Sequence, residues 1–169
     1  MEENNIQTNE IQTEVCNDMP EANGFDALEL SPELRKAVEA MGFAEPTDIQ
    51  RQAIPLLREG VDVIGRSQTG TGKTMAFAIP AVEMIDREEA EPTVQVLILC
   101  PTRELAMQTC TEMASFTTGT FPRTAVVYGG ASMGEQIRAL KRGVEIVVGT
   151  PGRVQDLMER GVAQLDQVR

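Results

Sequence analysis

The 169-residue chain carries a net charge of −11, 41% hydrophobic residues and no histidine. That is enough apolar content for one packed domain plus a tail, and it excludes His-based catalytic triads and His-containing metal sites. The acidity also excludes a broad basic nucleic-acid footprint, so any such site must be local, built from backbone amides and a few arginines.

Residues 1–24 hold six acids (Glu2, Glu3, Glu10, Glu14, Asp18, Glu21) and no base. They read as a disordered, solvated acidic tail, and residues 25–169 as the domain. The polar, acidic stretch 1–12 lacks the basic start and apolar middle of a secretory leader. The densest apolar run, Val94 to Cys100, is too short to span a membrane. Cys16, Cys100 and Cys110 show neither metal-ligand spacing nor a disulfide frame. The expectation is a reduced, cytoplasmic setting without a membrane partner.

Order is expected to begin near Phe25. Ser31-Pro32 is an N-cap followed by a first-turn proline, and Leu34, Ala37, Val38 and Met41 then line one helix face that Gly42 ends. Thr47 starts the next helix, with Gln50 placed for a capping box, and Pro55 is expected to end or kink it. Strands and helices then alternate. The predicted strands are Val61 to Gly65, a buried Val94 to Cys100, Thr124 to Tyr128 and Glu145 to Val148. The predicted helices are Lys73 to Ile85, Arg103 to about Phe116, Met133 to Lys141 and Pro151 to Glu159. Strand–helix units in succession predict an α/β fold with a parallel sheet, whose strand-following loops share one edge. Those loops form one expected composite site. Leu105, Leu140, Val147 and Val148 are expected core.

Ser67-Gln68-Thr69-Gly70-Thr71-Gly72-Lys73-Thr74 lies between a predicted strand and a predicted helix, the context a phosphate-binding loop requires. Its glycines let successive N–H groups face phosphate oxygens, and the helix N-terminus adds its positive end. Lys73 is placed for the β- and γ-phosphates and Thr74 for Mg²⁺. Ser67 stands where the strict pattern has glycine.

Further segments follow in order: Gly42-Phe43-Ala44-Glu45-Pro46-Thr47-Asp48-Ile49-Gln50, Pro101-Thr102-Arg103-Glu104-Leu105-Ala106, Gly129-Gly130 with Gln136 six residues on, and Thr150-Pro151-Gly152-Arg153. Phe25 stands 17 residues before Gly42. With the phosphate loop, this set resembles the first RecA-like domain of a DEAD-box ATP-dependent RNA helicase, over Phe25 to Arg169.

The resemblance implies that Gln50 and Thr47 belong to an adenine-reading motif, with Phe43 on the base and Phe25 behind. A carboxamide can accept from the adenine amino group and donate to the adjacent ring nitrogen. It also implies that Pro101, Thr102, Arg103, Gly129, Gly130, Thr150, Pro151, Gly152 and Arg153 contact the RNA backbone, single-stranded or in a short duplex, without reading bases. Plainer readings stand beside these: Gln50 as a helix cap, Phe43 as core, Thr102 and Thr150 as caps, and Arg103 in an ion pair.

The family's hydrolytic Asp-Glu-Ala-Asp strand, its later Ser-Ala-Thr motif and a second RecA-like domain do not occur in this sequence. The resemblance therefore implies an incomplete RecA-like P-loop NTPase domain whose sheet lacks interior strands, and marginal stability of the isolated chain. A non-catalytic nucleotide- or RNA-binding module, and a different P-loop phosphotransferase such as a small kinase, are the alternatives.

Overall fold

A computed structural model describes residues 9–11, 24–88, 92–117 and 121–168. The chain divides into two compact units, Met1–Pro80 and Ala81–Arg169.

In the first unit, a 3-10 turn at Gly24–Leu28 buries Phe25 and Leu28 and packs against α2 (Asp48–Arg58). Helix α1 (Pro32–Ala40) starts as its sequence dictates: the Ser31 hydroxyl accepts from Leu34 N–H at 3.3 Å, with proline in the first turn. Helix α2 continues through Pro55 to Arg58, contrary to the expected break. Pro55 lies on the exposed side, where water can serve the Arg51 carbonyl that lost its helical donor. On the opposite face Ile49 and Ala53 form an apolar cluster with Ala76, backed by Leu56, Leu57 and Val63.

Strand β2 (Val63–Gly65) pairs in parallel with β1 (Asn9–Ile11), Glu10 facing Ile64 in the register. Strand β1 falls within the segment expected to be a disordered tail. Backbone pairing with a free strand edge does not require apolar side chains. Residues 1–8 and 12–23 of that segment lie outside the described residues. Helix α3 (Lys73–Glu83) follows the loop after β2.

The second unit holds a parallel sheet of β3 (Val96–Leu99), β4 (Thr124–Val127) and β5 (Ile146–Gly149), in the order β3-β5-β4. The last of these strands in sequence is the central one, and Ile146, Val147 and Val148 are buried completely or nearly so. Val94 to Cys100, expected as a buried strand, differs from that expectation. It forms an edge strand, and Leu99 is 54% exposed because one side of β3 meets no strand among the described residues. Helices α4 (Arg103–Ser115), α5 (Met133–Lys141) and α6 (Pro151–Glu159) follow β3, β4 and β5 as expected. The core combines Val94, Ala125, Val127, Val144 and Val147 with Val154 and Leu157 of α6, and Leu140 packs against it.

Leu105 is not core: it is 45% exposed. Its neighbour Ala106 takes the buried position on α4, and one residue turns a helix by about 100°. Buried Glu145 receives the Arg123 guanidinium at 2.6 Å and the Arg123 backbone N–H at 2.6 Å, a neutralised pair at the foot of the sheet. No described helix is long and apolar enough to cross a membrane.

Candidate functional site

The residues expected at the composite edge fall in both units. The phosphate loop and Gln50 lie in the first unit, and the loops after β3, β4 and β5 lie in the second.

In the first unit, the short strand β2 delivers the chain into the loop, and α3 begins at Lys73. The Lys73 ammonium donates to the carbonyls of Ser67 at 2.6 Å and Gln68 at 2.7 Å. The Thr71 hydroxyl donates to the Gln68 carbonyl at 2.8 Å and lies 2.6 Å from the Ser67 hydroxyl. The loop's side chains thus close on its own carbonyls. The amides do not. Lys73, Thr74 and Met75 sit in the first turn of α3, where N–H groups have no helical acceptor. Thr69 and Gly70 are exposed, and Thr74 is half-buried at the helix start.

Gln50 joins two segments. Its Oε1 accepts from Thr47 N–H at 2.9 Å, and its Nε2 donates to the Gly72 carbonyl at 3.1 Å. It is fully buried. The capping reading of Gln50 is therefore realised together with a bond to the phosphate loop. Gly72 is obligatory on two counts: its φ is +82°, and a Cβ there would lie 2.3 Å from Gln50 Nε2. Phe43, 38% exposed, does not fill the core.

The open amides, the ammonium and the Thr74 hydroxyl fit a triphosphate with Mg²⁺. Among the described residues no group of three acidic, His or Cys side chains could hold a metal by itself.

In the second unit, Thr102 caps α4: its hydroxyl accepts from Leu105 N–H at 3.3 Å. Arg103 lies in an ion pair with Glu104, Nε to Oε1 at 2.5 Å, both side chains largely exposed. Arg103 holds the Glu104 carboxyl below its ordinary range. Gly130, at φ +83°, carries the Gly129-Gly130 turn, and a Cβ on it would lie 3.9 Å from Arg103 Nη1. The first turn of α6 is assembled differently. The Thr150 hydroxyl makes no capping bond, Pro151 occupies the first turn, and Gly152 is exposed. Arg153 Nη1 donates to Gln136 Oε1 at 2.9 Å, and Gln136 Nε2 donates to the Tyr128 carbonyl at 3.0 Å. Among the described residues no carboxylate pairs with Arg153.

The structure thus brings Arg103 beside Gly130 and links Arg153 to the end of β4. The link through Gln136 was not legible as a role. Its signal was present: Gln136 interrupts the inward face made by Met133, Ile137 and Leu140, and a buried amide there needs partners.

A strand, a glycine loop and a helix opening on Lys-Thr, followed in sequence by a parallel sheet with helices, define a RecA-like P-loop domain. The model of the DEAD/DEAH box helicase family matches residues 47–169. The chain belongs to that family. A DEAD-box ATP-dependent RNA helicase of Streptococcus pneumoniae is 49% identical over 144 residues, which is 85% of this chain and 27% of the relative. An ATP-dependent RNA helicase of Limosilactobacillus reuteri is 47% identical over 145 residues, 86% of this chain and 29% of the relative. The crystal structure of a DEAD box protein from Methanococcus jannaschii superposes with a TM-score of 0.79 at 39% identity, over 87% of this chain and 40% of that one. A hypothetical ATP-dependent RNA helicase from Sulfolobus tokodaii gives a TM-score of 0.72 at 35% identity, over 82% of this chain and 39% of that one. The chain therefore spans less than a third of the curated relatives' length.

Proposed function

We propose that this chain is the nucleotide-binding domain of an ATP-dependent RNA helicase, taking ATP with Mg²⁺ at Ser67 to Thr74 and RNA backbone at the strand ends of the second unit. The observation that carries the reading is the pairing, within one DEAD/DEAH box chain, of a phosphate loop with open amides and a separate cluster of caps and arginines.

At the loop, the amides following Thr69 cradle phosphate oxygens. Lys73 would swing from the carbonyls of Ser67 and Gln68 to the β- and γ-phosphates, and Thr74 would hold Mg²⁺ through its hydroxyl. When bound, Mg²⁺ would supply charge neutralisation on the phosphate oxygens. The Phe43 ring supplies an apolar face for the base. Gln50 uses one lone pair on Thr47 and one N–H on Gly72, which leaves one acceptor and one donor, the complement of the adenine edge. Its burial means that the loop must shift before the amide meets the base.

At the strand ends, Thr102, Arg103, Gly129, Gly130 and Thr150 to Arg153 offer hydroxyls, bare backbone and guanidinium groups. These suit phosphates and sugars and read no base edges. The sequence contains no Asp-Glu-Ala-Asp segment. ATP turnover and duplex separation, with a second RecA-like domain, are assigned to a longer protein.

The test uses full-length protein. RNA should stimulate ATP hydrolysis and ATP should drive strand separation of a short duplex; ATP turnover indifferent to RNA would sink the reading. Gln50→Ala should cut the preference for ATP over GTP by about tenfold. An unchanged preference would return Gln50 to capping alone.

A further inference from the structure

Four arginines of the second unit are held in two ways. Arg103, Arg123 and Arg160 each meet a carboxylate, from Glu104, Glu145 and Asp156 respectively. Arg153 meets a neutral amide. Its position is also costly for stability, because it sits in the first turn of α6, where the helix dipole opposes a cation and no acidic residue is present. A cation placed against the dipole and left without a counter-charge is arranged for an anion that arrives later.

We infer that Gln136 is a positioning residue for Arg153: it fixes the guanidinium toward an RNA phosphate without neutralising it. The inference rests on the RNA reading above. Gln136 is only 6% exposed, so its amide has few places to go. Its Nε2–H is fixed on the Tyr128 carbonyl at the end of β4, which turns Oε1 toward α6 and Arg153. A guanidinium has five N–H donors, and the amide takes one. The others stay available for a bidentate grip on phosphate. A glutamate has the same reach, yet it could not donate to Tyr128, and it would spend the charge of Arg153 on itself.

The test measures binding of a fluorescein-labelled oligouridine to the intact protein by anisotropy, across a salt series, with thermal melting of each variant. Arg153→Ala should weaken binding about tenfold and lower the slope of log K against log salt by about 0.7. Gln136→Glu should reproduce both effects in the folded protein, because the carboxylate keeps Arg153 in place but cancels it. Gln136→Met, of similar volume, should weaken binding with the slope retained, and should add nothing to Arg153→Ala.

If Arg153→Ala leaves affinity and slope unchanged, the RNA reading itself falls. If Arg153→Ala weakens binding while Gln136→Glu does not, only the positioning role falls. The role is likewise overturned if Gln136→Met costs as much with Arg153 absent as with it present, or if both Gln136 variants simply fail to fold.

Discussion

The phosphate loop and the strand-end cluster treat their polar groups in opposite ways. Around the loop, Lys73, Ser67, Thr71 and Gln50 are all bonded to nearby backbone or to one another. At the start of α6, the Thr150 hydroxyl caps nothing and Arg153 has only an amide for company. A ligand entering the loop must replace existing bonds, so its net gain depends on doing better than the loop does alone. A ligand at α6 displaces little, so its charge attraction is gained almost in full. On the proposed reading, the first site would discriminate between nucleotides and the second would bind many sequences.

The largest expected effect tests the loop. Lys73→Ala in the full-length protein should lower ATP turnover about a thousandfold, followed by phosphate release. A loss below tenfold would break the contrast, because Lys73 would then serve only to close the loop. Next comes Gly72→Ala, which forces a Cβ onto Gln50 Nε2 at a positive φ. Nucleotide affinity, followed with a fluorescent ATP analogue, should fall about a hundredfold while RNA affinity is spared.

Arg123→Ala sharpens the comparison from the other side, since this arginine is paired with a carboxylate. It strips buried Glu145 of its guanidinium and leaves the backbone N–H bond. Stability should drop by about 2 kcal/mol in chemical denaturation, with RNA affinity unchanged in the folded protein. The smallest effect is a gain. Glu104→Gln frees Arg103 from its exposed pair and should tighten RNA binding by about twofold to fivefold. Acid works in the same direction: the carboxyl of Glu104 titrates below its ordinary range, so the pair persists through neutral pH and dissolves only as pH falls through that lowered value.

Much of this arrangement was legible in the sequence because it is local. Ser31-Pro32, Thr102 and Thr150-Pro151 mark helix starts by the chemistry of their first turns. The loop from Ser67 to Thr74 declared itself through its glycines and Lys-Thr. What depended on distant pairing was not legible. Val94 to Cys100 and Glu145 to Val148 both read as apolar strands, and only the order β3-β5-β4 makes one an edge and the other the centre. Leu105 and Ala106 both suit a core, and the rotation of α4 against the sheet chooses between them. An ion pair stood beside the RNA reading of Arg103, and Glu104 supplies it, but the amide 17 residues away that holds Arg153 was not legible.

The central place of β5 constrains how the chain is made. Strands β3 and β4 are neighbours in sequence but not in space, and among the described residues each finds its hydrogen-bonding partner only in Ile146–Gly149. While a ribosome is still short of those residues, the emerging segment has helices and two unmatched strands but no sheet. At about 5–20 residues per second, that leaves apolar strands exposed for seconds. The insertion of one tetrapeptide then converts them into a single sheet, so this unit is born late and all at once.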